Sequence, residues 1–354
     1  MPDPAYSSAR PRLKIGDAER ADLADALQAA TLNMPLHGMA HGELLLNFFG
    51  ADADDSAPDF RFTDIALGDR VQVGFGEDAA LRVFDGEITG IEERYGDGAP
   101  RLVLLLQDPL HRLGRARAPR VYAATTVDDL LRAVAERAGL AHDVAVSDAA
   151  SDWHQLNESD LAFLLRVIGP FGIALRMHNG VLRARAEEPD PAPITLDTAD
   201  NAMTARLLAD LAHQPTRSAV NGFDLRAGSD VAGARDRLEP APAGSSAADL
   251  LGTLGWDGAE IVPRPWPATA ALARAYARGH FERRARVFCS GEVVCTGDPR
   301  LRAGREVRLE NVSPRMAGTW GVSHCVHSFD TGSGYRARLK LRRGGWGDAG
   351  GGAA

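Results

Sequence analysis

Glu158 and Asp160 stand close together in QLNESDLAFLLRVIGPFGI (155–173), just ahead of an apolar run. A nearby pair of carboxylates is the usual equipment of general acid–base chemistry. The same residues also fit a helix start. Asn157 is a good N-cap residue, and Glu158 and Asp160 then fall in the first turn, where free N–H groups and the helix dipole favour negative charge. Leu161, Leu164, Leu165 and Ile168 follow at helical spacing, and Gly169-Pro170 stops the pattern. No other segment supplies partners that would make the two carboxylates chemically special, so the capping role is favoured.

The other chemical candidates meet similar objections. VGFGEDA (73–79) matches a dinucleotide glycine pattern at Gly74, Gly76 and Ala79. That mechanism needs a helix after the turn to hold a pyrophosphate, and here an alternating strand, Leu81–Glu93, follows. His324, Cys325 and His327, with Cys289 and Cys295, evoke zinc. Neighbours on a strand point to opposite faces, so His324 and Cys325 do not easily share an ion, and the spacing of Cys289 and Cys295 is unlike a zinc knuckle. Glu87 and Glu92 lie five apart, on opposite faces of a regular strand, whereas a glycosidase pair faces across one cleft. There is no G-x-S-x-G elbow and no H-E-x-x-H. LHRLGRARAPR (110–120) is basic but lacks interleaved aromatics, which points to an internal or subunit contact and not to a nucleic-acid platform. No catalytic, cofactor-binding or metal-ligating residue is assigned, no cofactor is expected, and the chain is expected not to be an enzyme. A carbohydrate hydrolase is the enzyme class least at odds with the residues.

The whole composition agrees. The 354 residues are 45% hydrophobic and 25% charged, with a net charge of −8, an ordinary globular balance sufficient for two or three domains. Mild acidity argues against specific nucleic-acid binding. Three cysteines make no disulfide framework and point to a reducing compartment. No stretch approaches the ~18 apolar residues of a membrane span, and MPDPAYSSARPRLKIG has no signal-peptide core. Synthesis and assembly in a bacterial cytoplasm, without direct membrane insertion, are expected.

The elements that must position these residues are mostly strands. Arg12–Ile15, Glu43–Phe49, Arg70–Val73, Leu81–Glu93 and Arg101–Gln107 alternate between glycine-rich turns, as in a small antiparallel barrel or sandwich. TTVDDLLRAVAERAGL predicts a helix capped by Thr126 and closed by Gly139. Ile173–Met177 and Val181–Ala184 predict a hairpin about His178-Asn179-Gly180. EEPDPAP (187–193) reads as a connector. Strands resume at Ala205–Ala212 and Ser218–Leu225, and 226–268 is irregular. Residues 270–284 form a helix, and strand returns at Val287–Cys295.

LGDRVQV (67–73) and AGREVRL (303–309) each join a glycine turn to an alternating strand. Each leads to a second glycine, Gly86 or Gly318, then a strand, a Gly/Asp turn and another strand. One barrel-like unit is therefore expected twice, although β-hairpins share composition whatever their ancestry. Three such chains in a ring present six similar units with true three-fold symmetry. If acidic residues line the lumen of such a ring, its tripled net negative charge would repel DNA, which would slide through instead of sticking.

VFDGEITGIE (83–92) with LLLQDPLHRLGRAR (104–117), QLNESDLAFLLRVIGPFGI, and CTGDPRLRAGREVRL (295–309) running to WGVSHCVHSFDTGSGYRARLKLRR (320–343) together resemble the late control D or tail hub family of contractile phages. The same module forms the N-terminal part of VgrG proteins and of hubs in extracellular contractile injection systems. The resemblance spans about residues 10–343. It implies a mainly β fold with an α+β insertion: two tandem tube-like antiparallel β-barrels plus a small helical, α+β domain. The expected boundaries are 10–115 for the first barrel, 116–193 for the insertion domain, 194–228 with 286–344 for the second barrel, 229–285 for an irregular and helical insertion, and 345–354 for a flexible tail. The implied function is structural: a homotrimeric baseplate hub in a phage tail or injection particle, adapting a six-fold inner tube to a three-fold spike. The implied partners are the inner tube or tube-initiator protein, the spike protein, other baseplate components, and tape measure or cargo in the lumen. A VgrG-like adaptor for effector or cargo recruitment is the alternative. VgrG chains continue into a spike, whereas this sequence stops in a glycine-rich tail, so the spike is expected on a separate protein.

Overall fold

The computed structural model describes residues 10–50, 59–76, 81–96, 98–187 and 192–347. The first part of the chain runs β1 (Arg12–Ile15), β2 (Ala18–Glu19), the helix Ala21–Ala26, β3 (Leu27–Pro35), β4 (His41–Asn47), β5 (Phe49–Gly50), β6 (Asp59–Phe60), β7 (Arg70–Gly74), β8 (Arg82–Arg94) and β9 (Arg101–Gln107). The middle holds the helix Leu110–Leu113, β10 (Arg117–Thr126), the helix Val127–Arg137, β11 (Ala141–Ala145), β12 (Ala150–Ser159), the helix Asp160–Ile168, β13 (Leu175–His178) and β14 (Val181–Arg185). Then come β15 (Ile194–Asp197), β16 (Ala202–Ala209), β17 (Arg217–Asp224), β18 (Ser229–Arg235), β19 (Ser245–Ser246), the helix Ala247–Leu254, β20 (Ala259–Val262) and the helix Ala270–Ala285. The chain closes with β21 (Cys289–Thr296), β22 (Glu306–Glu310), β23 (Gly318–Asp330), β24 (Gly334–Arg343) and β25 (Gly345–Trp346).

One sheet of thirteen strands dominates, in the order β16-β21-β24-β23-β3-β4-β9-β8-β7-β1-β2, with β15 and β22 attached alongside β23. Within it, β3-β4-β9-β8-β7 is repeated by β16-β21-β24-β23-β22. The repeat reaches single hydrogen bonds. Gly68 donates to the Ile88 carbonyl at 2.8 Å and Ile88 to that of Asp69 at 2.9 Å; Gly304 donates to Val322 at 2.8 Å and Val322 to Arg305 at 2.9 Å. Both turn glycines have positive φ, 93° and 81°, which a side chain would strain. A bulge then follows in each copy, between Ile88 and Gly90 and between Val322 and His324. The bulged hydroxyls, Thr89 and Ser323, donate to the matching carbonyls of Leu105 and Lys340. A second bulge recurs at Leu27/Ala29 and Ala202/Thr204. This shared register excludes a chance likeness of hairpins. It also corrects one equivalence: Val71 pairs with Gly86 and Val307 with Trp320, so Gly86 corresponds to Trp320 and not to Gly318.

The architecture is mainly β with an α+β insertion, and the two units share one sheet. They join where β23 pairs antiparallel with β3, from His324 opposite Pro35 to Asp330 opposite Ala29. Phe75 and Tyr335 stack across the same junction with ring centroids 3.6 Å apart. Among the described residues no strand pairing closes either unit on itself. Each unit has its own core, one around Leu44, Val71, Phe84 and Leu104, the other around Val293, Val307, Trp320 and Leu339.

The insertion packs a third core around Leu130, Leu131, Phe163 and Leu164. Thr126 caps the helix Val127–Arg137 by accepting from Asp129 N. Gly139 follows its end with Gly139 N bonded to Glu136 O and Leu140 N to Ala135 O, a Schellman closure. Asn179 and Gly180, both with positive φ, make the two-residue turn between β13 and β14, and His178 is the last residue of β13. Three expectations change. β17 pairs with β18 and β20, not with the large sheet, so much of the segment read as irregular is a three-stranded sheet. The helix Ala270–Ala285 braces it: a Cβ on Gly233 of β18 would collide with the Ala273 backbone. The supposed tail begins as strand, because β25 pairs with β19 and Trp346 packs on the second core; residues 348–354 lie outside the described residues. Among the described residues, no helix is long and apolar enough to cross a membrane.

Candidate assembly surface

The carboxylate pair forms a corner brace. Glu158 belongs to β12, not to the helix, and Asn157 is a strand residue with φ of 54°. Ser159 is the cap, accepting from Ala162 N at 3.3 Å; only Asp160 lies in the first turn. Glu158 accepts from Arg166, which holds its carboxyl below the usual range. Asp160 accepts from Arg120, Arg137 and the buried Gln155 amide. The same amide donates to the Glu158 carbonyl at 2.9 Å. The Gln-x-x-Glu-Ser-Asp motif thus fixes the angle between ribbon and helix, and an arginine-bound Glu158 is the reverse of a general acid, whose pKa must rise.

The sulfur and imidazole groups are core. Cys325 and His327 share one face of β23, with Sγ 3.1 Å from Nε2. His327 Nε2 donates to the Leu301 carbonyl and its Nδ1 accepts from the Tyr335 hydroxyl; burial pushes its pKa down to about 4. Burial pushes Cys289 up to about 11 and Cys295 up to about 12, and raises Cys325 as well. Buried thiols of this kind are unreactive. Among the described residues no cluster of three or more His, Cys, Asp or Glu side chains is placed to hold a metal. Gly74 ends β7, Gly76 turns with φ of 80°, and β8 follows; Ala79 lies outside the described residues.

Glu87 and Glu92 share a face, contrary to the count along a regular strand. Their partners on β9 are Gln107 and Val103, an even number of residues apart, because the bulge at Thr89 inserts one residue. Glu87 accepts from His111 at 2.7 Å and from Arg112, while Glu92 is held by Arg94. Burial, with Arg115 nearby, lowers the His111 pKa, so this contact is best described as a hydrogen bond from neutral imidazole. The first residues of the basic segment are therefore an internal contact. Glu87 borders a cleft of about 340 Å³ between the two units and the insertion, with Asp85, Asp108 and His178 also in its wall. Asp85 is held by Arg70 and Arg82. Asp108 accepts from Ala40 N and Leu110 N, and its burial pushes its pKa up to about 7. Burial and surrounding arginines push His178 down to about 4. The cleft's acidic groups thus serve to join elements.

Among the described residues, two of the strand edges that the fold leaves open belong to the repeated units themselves. Glu87 pairs with Arg70 on one side and Gln107 on the other, so β7 and β9 flank β8. Beyond residue 87 only β9 continues, and among the described residues no strand covers the opposite edge of 90–94. β16 likewise pairs only with β21. Apolar side chains gather there: Ile91, Tyr95, Met203 and Leu208 are exposed, Tyr95 by 59% and Leu208 by 52%. The equivalents of Ile91 and Tyr95 at the internal seam, Cys325 and Phe329, are buried, whereas those of Met203 and Leu208 are the half-buried polar residues Gln28 and Asn33. Residue types alone did not single out these four; carrying the repeat through to its strand edges would have found them.

A family model of the phage tail baseplate hub (GPD) matches residues 49–333. The fold matches the 43 kDa tail protein of prophage MuSo2 from Shewanella oneidensis (15% identity, 95% of this chain and 99% of that one, TM-score 0.70). It also matches a tail protein from Neisseria meningitidis MC58 (12%, 96% and 98%, TM-score 0.67). A third match is the E. coli c3393 protein, described as a type VI secretion component similar to T4 tail proteins gp27 and gp5 (14%, 94% and 76%, TM-score 0.62). No curated protein matches the sequence. A doubled sheet unit with a helical insertion, a family match over most of the chain and tail proteins of the same fold agree: the chain belongs to the phage tail baseplate hub family and is a structural component of a tail baseplate.

Proposed function

We propose that the chain acts as a homotrimeric ring that adapts a six-fold inner tube to a three-fold spike. The observation that carries this is the exact-register repeat of β3-β4-β9-β8-β7 by β16-β21-β24-β23-β22. Two equivalent units per chain give a three-fold ring six similar faces, one for each subunit of a hexameric tube. Closed cyclic assembly also covers edges that otherwise invite aggregation. The ring has no catalytic task; the tube or tube initiator, the spike, further baseplate proteins and cargo or tape measure are its partners. The exposed sheet face is mixed in charge, with Arg94, Arg206, Arg338 and Lys340 beside Glu43, Glu92 and Glu292, so the net negative charge is not concentrated there and supports no acidic channel. Light scattering tests the ring: three chains of 37.7 kDa give about 113 kDa, and a dimer or a persistent monomer at high concentration contradicts it.

A second reading, recruitment of an effector or cargo protein, draws on the segment that holds β17, β18 and β20. Leu225, Trp256, Ile261 and Trp266 are all exposed on it, and aromatic anchors are characteristic of binding surfaces. Capture of a defined cargo that is lost on Trp256→Ala and Trp266→Ala would favour that reading over a purely structural hub.

A further inference from the structure

The helix Ala270–Ala285 carries a charge pattern that the sheet units do not use. Arg274, Arg278, Glu282 and the C-cap Arg286 recur every four residues and so form one stripe along it. The stripe faces the insertion across a groove. One part of the groove, about 410 Å³, runs beside residues 171–174; the next, about 520 Å³, runs beside the loop 146–149. The two parts meet at Val146 and Arg278, which line both. The walls are fixed. Asp128 accepts from Val146 N at 2.7 Å and from Ser147 N at 3.0 Å, which holds the loop. Gly279 lets the helix lie directly on the insertion, because a Cβ there would come within 2.3 Å of the Phe171 carbonyl carbon. Val146, Ala149 and Phe171 give the groove an apolar floor.

Seven arginines but only four carboxylates border the groove. Its glutamates are engaged: Arg342 holds Glu187 at 2.6 Å, Arg235 holds Glu239 at 2.9 Å, and Arg286 holds Glu282 at 3.4 Å. Arg185 is matched by Asp143 outside the groove. Arg283 donates to the Gly169 carbonyl, a neutral group. Arg274 and Arg278 are exposed and form no hydrogen bond or ion pair among the described residues. The remaining carboxylate is the exposed Asp148, so positive charge is in excess. We propose that this groove binds an extended acidic segment of another baseplate protein, with carboxylates on Arg274, Arg278 and Arg283 and small apolar side chains on Val146 and Ala149. Positions 274 to 286 span roughly 18 Å of helix, the reach of about five extended residues. Alternate side chains of such a segment point opposite ways, so acidic residues meet the arginines while apolar ones settle on the floor. Nucleic acid suits the groove less. Its one aromatic, Phe171, is buried and offers no face for stacking, and the groove's own carboxylates repel a continuous phosphate backbone. The inference rests on membership of a baseplate and not on the ring, because every wall belongs to one chain.

The test is fluorescence anisotropy with the full-length chain and a labelled peptide of alternating glutamate and alanine. Saturable binding is expected at low salt, several-fold weaker at about 0.2 M salt and lost when glutamine replaces glutamate in the peptide. Arg274→Glu with Arg278→Glu is expected to weaken binding at least ~10-fold; both side chains are exposed, and circular dichroism checks that the variant folds. Arg338→Glu with Lys340→Glu makes the same change of net charge on the sheet face and is expected to leave binding within about twofold, since separated surface charges are screened. No saturation at millimolar peptide, equal loss in the two double variants, or tighter binding of a labelled oligothymidylate overturns the proposal. So does a loss of oligomer in the Arg274→Glu, Arg278→Glu chain without peptide, which means that a second copy fills the groove. Light scattering on the same samples separates this from the ring: a trimer that ignores the peptide overturns the groove alone, and a monomer that binds it overturns the ring alone.

Discussion

Leu32 and Leu207 occupy equivalent places, but only Leu32 has a strand laid over it. Leu32 sits opposite His327 of β23 and is fully buried, whereas Leu207 is partly buried on the open strand β16. Leu32→Ala removes three carbons from a closed core and leaves a cavity, at a cost of about 3 kcal/mol within the usual range of roughly 2–5. Leu207→Ala removes the same carbons from a site already partly in water, and in the isolated chain should cost about 1 kcal/mol. Urea titration at a concentration where the chain is monomeric reads the difference. With an m-value of ~3 kcal/mol/M, the Leu32 midpoint falls by about 1 M and the Leu207 midpoint by about 0.3 M. Fluorescence and circular dichroism must give coincident curves for this conversion to hold. In the proposed ring the Leu207 penalty is expected to grow, since a neighbour's strand would then cover it. Equal losses at the two positions in the monomer would refute the reasoning, because they would mean that β16 is covered within its own chain.

Other outcomes follow from single sites. Asp108 is pushed up to about 7, against about 4 unfolded; the unfolded chain therefore loses its proton first as pH rises, and this group's effect is to lower stability between about pH 4 and 7, by at most ~4 kcal/mol, and to leave it level above. Asp108→Asn should remove that slope, measured as urea midpoints at pH 4.5 and 8; an unchanged slope contradicts the assignment. All three cysteines should resist a thiol reagent such as dithionitrobenzoate in the native chain at pH 8 and react fully in urea, and fast reaction of any one in the native chain would show that its burial is wrongly described. Gly86→Ala should cost more than about 3 kcal/mol or abolish folding, because a Cβ there meets the Gln107 carbonyl and the Phe84 ring with no room to move; a near-native urea midpoint would count against the packing.

Much of the fold is legible where local chemistry decides. Gly68 and Gly304 mark the repeat because their positive φ suits glycine alone, Asn179-Gly180 specifies its turn, and Thr126 its cap. β1 and β9 span the same residues that the sequence marks as strand, Arg12–Ile15 and Arg101–Gln107. Legibility stops where distant segments decide. β10 carries Pro119 and faces solvent along most of its length, and is a strand because β12 pairs with it. β17 and β18 sit in a proline- and glycine-rich region and are held by the helix Ala270–Ala285. The bulges at Thr89 and Ser323 leave no mark in composition, yet the first turns Glu87 and Glu92 onto one face. The open edge beyond residue 87 is hidden for the same reason: Ile91 and Tyr95 look like ordinary strand residues until the second unit shows that their counterparts are covered.

On the proposed function, a doubled unit within one chain makes a three-fold ring resemble a six-fold one. Electron cryo-microscopy of the baseplate particle that contains this chain tests it most directly. Three copies on the central axis are expected, with six near-equivalent sheet units and continuous strand pairing at all six seams. Copies placed away from the axis, or first and second units set at unlike radii, would contradict it.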